Sequence, residues 1–240
     1  MVAEVLTPIS KHEVSPVFRD VRIVFATSAR VGRMHGFAAI DLETTGLSPS
    51  SDRIIEIGVV VLDEQCRELE QWSTLVNPGR PVGATFVHGI TDNDVATAPS
   101  FTEILPALVP LLRGRAIVAH NAPFDVGFLN AAFGRASFPL RIPAAATVDT
   151  LEQSRIYLPE GRHSLVAATA RAGIPLPTHH RALGDARAAA GLLRVYMERE
   201  AGGVRFAEEA RTRDGAPVYP RSWMPALKAA AYVPWPDPLF

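Results

Sequence analysis

The sequence is nearly devoid of cysteine, with Cys66 alone in 240 residues. One thiol excludes an intrachain disulfide and a Cys-based zinc cluster, and suits a reducing cytoplasm better than an oxidising compartment. Its setting, LDEQCRELEQ, is a polar turn between apolar runs with no catalytic cysteine signature, so Cys66 reads as structural. Long apolar runs are also missing, and none approaches the roughly 18 residues that a membrane-spanning helix needs. The start, MVAEVL, opens on Glu4 rather than basic residues, and VRIVFATSA is broken by Arg22, which does not fit a secretory signal. A cytoplasmic chain with no membrane partner is expected. Excess charge is lacking as well: 24 Lys and Arg against 25 Asp and Glu leave a net charge of -1. Any contact with a polyanion must therefore come from a local patch or from bound metal.

What is present is enough apolar residue, 48%, for a substantial core. Residues 1–35 show no strong periodicity and read as an N-terminal extension; Met34 stands just before the first convincing strand. FAAID and a Gly/Ser/Pro turn lead into RIIEIGVVVLD and ELEQWSTLVNP, a three-stranded meander. SFTEILPALVPLLRG reads as a helix capped by Ser100 with Glu103 three residues on, and Pro106 and Pro110 are expected to kink or shorten it. RAIVAH is a short buried strand, NAPFDVGFLNAAFGR a helix with Asn121 as cap, and ATVDTLEQSRIYL a strand running into a helix. SLVAATARAGI and RALGDARAAAGLLRVYMERE close the pattern as helices. The expected fold is α/β, a mixed sheet made of a meander and then alternating helices and strands, flanked by helices, over residues 36–199. Residues 200–240 are Pro-rich and read as a tail that is docked through aromatics or partly disordered.

In FAAIDLETTG, Asp41 and Glu43 stand two apart at the end of an apolar strand, so their carboxylates share a face. Asp125 lies in the first turn of a helix that follows a strand, and His180 and Asp185 open the last long helix. Functional groups in such sheets gather beyond the carboxyl ends of strands and at helix starts, so these segments are expected to converge. Four carboxylates in one crevice would call for hard divalent cations, magnesium or manganese rather than zinc. Singly, each residue has an ordinary reading. Asp41 fits a strand-end turn, Asp125 complements a helix dipole, Asp185 fits a solvated pair with Arg181, and His179 is as eligible as His180. His88 in FVHGIT and His163 in GRHSL read as turn and helix-start residues.

DLETTG, HNAPFD and HRALGDA, with VHGIT and HSL in order between them, resemble the three motifs of the DEDD superfamily of 3′-5′ exonucleases in its histidine-containing branch. The resemblance runs from about residue 36 to about 198 and is greatest to the proofreading epsilon subunits of bacterial DNA polymerase III and their stand-alone relatives. It implies an RNase H-like fold and two divalent ions, Mg²⁺ or Mn²⁺, held by Asp41, Glu43, Asp125 and Asp185. It makes His180, five positions before Asp185, the general base. Release of nucleoside 5′-monophosphates from single-stranded DNA 3′ ends follows, in proofreading or in end trimming. Leu47 and Phe128 are candidates to wedge against terminal bases, with core packing an equal alternative, and backbone groups around Thr44 and Thr45 are candidates to contact the terminal nucleotide. The terminal PDPLF is similar to Leu-Phe-ending peptides that dock on the sliding clamp, though the leading Gln is absent; a polymerase or clamp partner is thereby suggested. The same chemistry on RNA and a non-catalytic nucleic-acid or polymerase-binding module are the alternatives. The DLETTG motif favours DNA over RNA, and the five intact positions argue against a decayed copy.

Overall fold

The structure, a computed structural model, describes residues 36–176 and 181–236. The N-terminal extension, His179, His180 and the last four residues of PDPLF lie outside the described residues. Strands β1 (Phe37–Thr44), β2 (Ile54–Leu62) and β3 (Glu68–Leu75) form the meander. Two four-residue helices follow, α1 (Thr85–His88) and α2 (Asp92–Val95), and then α3 (Phe101–Leu112), β4 (Ala116–Ala119) and α4 (Ala122–Arg135). A 3₁₀ turn at Ala144–Ala146 leads to β5 (Thr147–Asp149), α5 (Thr150–Tyr157), α6 (Leu165–Ala172) and α7 (Ala182–Ala201). A hairpin of β6 (Ala210–Arg211) and β7 (Pro217–Val218) precedes α8 (Trp223–Ala230).

The five-stranded sheet has the order β3-β2-β1-β4-β5. β1 pairs antiparallel with β2 and parallel with β4, so the carboxylate strand is central. The mixed α/β architecture read from the sequence is the one observed. Side chains alternate across the sheet: Phe37, Ala39, Val60 and Val118 face a core closed by α5, α7 and α8, whereas Ala38, Ile40, Leu42 and Val59 face one closed by α3 and α4. Both faces being covered, β2 is apolar at nearly every position, as a doubly buried strand must be.

Two expectations are modified. α3 starts with the expected capping box, in which Ser100 N–H donates to Glu103 at 2.7 Å and Glu103 N–H to the Ser100 hydroxyl at 3.4 Å. The helix spans both prolines without shortening; Pro106 and Pro110 lie on its exposed side, where the carbonyls they leave unbonded are open to solvent rather than buried. The segment after residue 200, for its part, is docked as far as Pro236. Trp223 is buried against Tyr157, with ring centroids 5.5 Å apart; Gln153 Nε2 donates to the Tyr219 carbonyl at 2.9 Å, and Arg113 reaches the Pro236 carbonyl. Cys66 is buried with its Sγ 3.2 Å from Met197 Sδ, and burial pushes its thiol up to about 12, which leaves it inert. No helix among the described residues is long and apolar enough to cross a membrane.

Candidate active site

Asp41 and Glu43 project from β1 on the face that meets α7, directly opposite Gly58 and Glu56 of β2. Gly58 matters here because a Cβ in its place would lie 2.3 Å from the Ala182 carbonyl carbon. The bare glycine therefore lets the first turn of α7 press onto the sheet. Glu56, buried beneath, accepts from the Ala182 N–H at 3.1 Å and pairs with Arg181 at 3.0 Å. Arg181, proposed from sequence as a partner for Asp185, thus braces Glu56. So seated, α7 brings Asp185 to β1, and ligand oxygens of Asp41, Glu43 and Asp185 lie within 4.8 Å of one another.

Asp125 comes from the other side. Beyond β4 the chain turns through Asn121, in the left-handed region at φ 85°, an uncommon conformation for a residue other than glycine. Asp149, which caps α5 through the Leu151 N–H at 2.9 Å, also accepts from the Asn121 N–H at 3.1 Å and secures that turn. His120 is fixed alongside: its Nε2–H donates to the His163 carbonyl at 2.8 Å, leaving Nδ1 to accept from the Thr150 hydroxyl at 3.0 Å. Burial drops the His120 imidazole to about 4, so it stays neutral. His88 is likewise structural, bonded to the Gly83 carbonyl and the Ile90 N–H. The helix that results buries Asp125 beside Asp41.

The electrostatics follow from this crowding. Burial first, then the charges of Asp125, Asp185, Glu43 and Glu56, raise the Asp41 carboxyl well above its ordinary range. Burial, Glu56 and Asp185 push Glu43 up to about 7 against a partial offset from Arg181. Asp125 is raised by burial and by Asp149, and Asp149 itself rises to about 6, chiefly through burial. Buried like charges favour protons or a cation in their midst. The donors are carboxylate oxygens with no sulfur, a set that fits a hard divalent metal ion.

Around this centre the remaining predicted residues divide. Leu47 is 85% exposed on the loop after β1. Phe128 is fully buried, packed on Phe124 at a centroid distance of 4.9 Å; its reading as a base wedge is corrected, since it faces the α3–α4 core and reaches no solvent. An exposed aromatic does stand nearby in Phe86, 93% exposed on α1. Its segment abuts the start of the loop after β1 so closely that a Cβ on Gly83 would lie 2.4 Å from the Thr45 carbonyl oxygen. Thr44 and Thr45 are buried: Thr44 Oγ1 donates to the Gly46 carbonyl at 2.6 Å, and the Thr45 N–H is taken by the Arg53 carbonyl at 2.8 Å. The Thr45 amide is therefore already engaged within the fold. Sequence reading missed Glu56, Asp149 and Phe86. Only Glu56 left a signal, a lone carboxylate inside the apolar run RIIEIGVVV.

Comparison with known proteins agrees with this geometry. The family model described as Exonuclease (RNase_T) matches residues 38–193. The DNA polymerase III PolC-type of Streptococcus thermophilus is 37% identical over 165 residues, 68% of this chain and 11% of that one. The corresponding protein of Bacillus subtilis is 32% identical over 217 residues, 88% of this chain and 15% of that one. The chain thus spans a small fraction of these relatives. Among solved structures, exonuclease X in complex with 5′ overhanging duplex DNA is 29% identical with a TM-score of 0.52, covering 70% of this chain and 93% of that one. E. coli exonuclease I in complex with a dT13 oligonucleotide shares the fold at 20% identity and a TM-score of 0.60, covering 70% and 42%. With the family's motifs brought together on its central strand and flanking helices, the chain belongs to the RNase_T exonuclease family of the DEDD superfamily.

Proposed function

We propose that the protein is a metal-dependent 3′-5′ exonuclease that hydrolyses the terminal phosphodiester of DNA strands and releases nucleoside 5′-monophosphates, in proofreading or end trimming. The observation that carries this reading is the gathering of Asp41, Glu43 and Asp185, with ligand oxygens within 4.8 Å of one another, beside buried Asp125. These four carboxylates would hold two Mg²⁺ or Mn²⁺ ions. Ions bound there supply a water of lowered pKa and offset the charge that develops on the attacking and leaving oxygens. His180 takes the proton of the attacking water, a role supported by its place five residues before Asp185 and by the ordinary imidazole pKa of about 6.5. Leu47 and Phe86 meet the terminal bases, since apolar and aromatic contacts tolerate any base. The choice of DNA is supported by the DNA complexes of exonucleases X and I and by the polymerase relatives.

The test is the product pattern on 5′-labelled single-stranded DNA and RNA of matched sequence, with Mg²⁺, with Mn²⁺ and with EDTA. A metal-dependent ladder shortening from the 3′ end of DNA, lost in Asp41→Ala and strongly slowed in His180→Ala, is expected. Faster loss of RNA would move the protein to exoribonuclease chemistry, and no cleavage of either strand would overturn the enzymatic reading.

A further inference from the structure

Three arginines from separate parts of the chain converge on the loop that follows the carboxylate strand. Arg53 Nη1 donates to the carbonyls of Ser51 and Asp52, each at 2.9 Å. Arg135, the last residue of α4, reaches the carbonyls of Pro49 at 2.9 Å and Asp52 at 3.3 Å. Arg80 reaches the carbonyl of Ser51. Each of these bonds is made to a neutral carbonyl, which leaves the charge of Arg53 and Arg135 in place, while the Asp52 carboxylate offsets part of the Arg80 charge. The carboxylate within the loop, Asp52, is engaged with the Ser48 N–H at 2.9 Å and the Thr45 hydroxyl at 3.2 Å, and Glu103 across the cleft is engaged in capping Ser100. The cations crowd one another: burial and then the Arg53 charge hold the Arg135 guanidinium below its ordinary value. Beside them opens a cleft of about 240 Å³, lined by Arg53 and Arg135 together with Asn77, Gly79, Ser100 and Thr102. In a chain of net charge -1, this is a local concentration of positive charge beside a concave surface that Ile54, Val76, Pro78 and Phe101 also line.

Its position relates it to the carboxylates. The loop rests on α4, where a Cβ on Gly127 would lie 3.3 Å from Pro49 Cγ, two residues beyond Asp125. Arg53 pairs with Thr45, four residues along the chain from Asp41, so the patch begins roughly 13 Å from Asp41 at about 3.3 Å per residue. A phosphate seated there belongs to a nucleotide other than the one released.

We propose that Arg53, Arg80 and Arg135 form a binding patch for nucleic-acid phosphodiesters that holds the substrate backbone away from the scissile bond. Planar guanidiniums match phosphate oxygens in a way that single ammonium groups do not, and exposed Leu47 stands on the same loop. The ligand class rests on the exonuclease reading above. The test is the salt dependence of binding of a 5′-fluorescein dT oligonucleotide, followed by anisotropy in EDTA to prevent turnover, for the wild type, Arg80→Gln, the triple Arg→Gln variant and the triple Arg→Lys variant. Each single-strand phosphate that is no longer neutralised removes about 0.7 from the slope of log K against log salt, so the triple glutamine variant is expected to be shallower by about 2 and the lysine variant to recover most of that. Hydrolysis of the p-nitrophenyl ester of thymidine 5′-monophosphate, too small to reach the patch, is expected to be unchanged while KM for oligonucleotides rises. A larger loss on a duplex with a recessed 3′ end than on a single strand assigns the patch to the complementary strand, and an equal loss assigns it to the cleaved strand. An unchanged salt slope, or ester hydrolysis falling in step with oligonucleotide cleavage, would overturn the proposal and leave the arginines as braces of the loop. Failure of the wild type to cleave either substrate would instead sink the exonuclease reading, and the salt slope would still decide the patch.

Discussion

Each buried carboxylate on β1 shifts the proton balance of folding. Glu43 titrates near 7 in the fold against 4.5 when free, and Asp149 near 6 against 3.8, so the native state binds more protons than the unfolded chain between these limits. The stability they contribute is complete below their free values and is lost as pH rises through 7. Asp41 and Asp125 act in the same direction. His120 opposes them, because its pKa is depressed from 6.5 to about 4 and its contribution is lost as pH falls across that range. His163, lowered by burial and by Arg155 and Arg171, acts with His120; with four carboxylates against two imidazoles, the metal-free protein is expected to melt at a higher temperature near pH 5.5 than near pH 8, and Glu43→Gln to flatten the difference. Mn²⁺ should then raise the melting temperature more near pH 8, since protons and metal compete for the same oxygens; thermal melts in EDTA and in Mn²⁺ at the two pH values check both points. Residue scale is also where sequence reading was most uneven. Carboxylates could be found because charge is conspicuous in an apolar strand, whereas the apolar residues carried no mark of which would be exposed. Phe128→Ala is expected to cost about 3–5 kcal/mol of stability in denaturant titration. Phe86→Ala, at an exposed position, should leave stability nearly unchanged and raise KM for oligonucleotides.

At the scale of elements, the site depends on how two helices are seated. α7 rests on β2 through Gly58 and Glu56, and α4 hangs from the turn that Asp149 and His120 secure. Gly58→Ala is expected to push Ala182 off the sheet, so that metal no longer raises the melting temperature and cleavage is lost while far-ultraviolet circular dichroism is retained. Retained metal stabilisation would show that α7 is positioned by other contacts. The strands β1, β2, β4 and β5 and the helices α3 to α7 were legible because each buries apolar residues, and β3, which buries none, was legible from its place in the meander. The helices α1 and α2 were not, since four residues are too few to show a period. Pro106 and Pro110 pointed to a shortened helix only because sequence does not reveal which side of a helix meets water.

At the scale of the whole molecule, the segment after α7 belongs to the core. Trp223, Ala226 and Ala230 are buried at helical spacing against β4, β5 and the 3₁₀ turn, with Trp223 also on Tyr157 of α5. Their signal in the sequence was hidden by surrounding prolines, which read as loop. Trp223→Ala is expected to cost about 3–5 kcal/mol, and truncation after Gly203 to yield protein that melts earlier and loses nuclease activity in proportion to unfolding; an unchanged denaturation midpoint in either would show the segment to be dispensable. The central place of β1 has a consequence in time as well as in space. Its amides are shielded by strands on both edges and helices on both faces, so they should exchange hydrogen for deuterium only through near-global opening. The loop of residues 45–53 and α1 should exchange orders of magnitude sooner. The carboxylate strand is thus the slowest clock in the molecule, and the surfaces proposed to meet the nucleic acid are among the fastest.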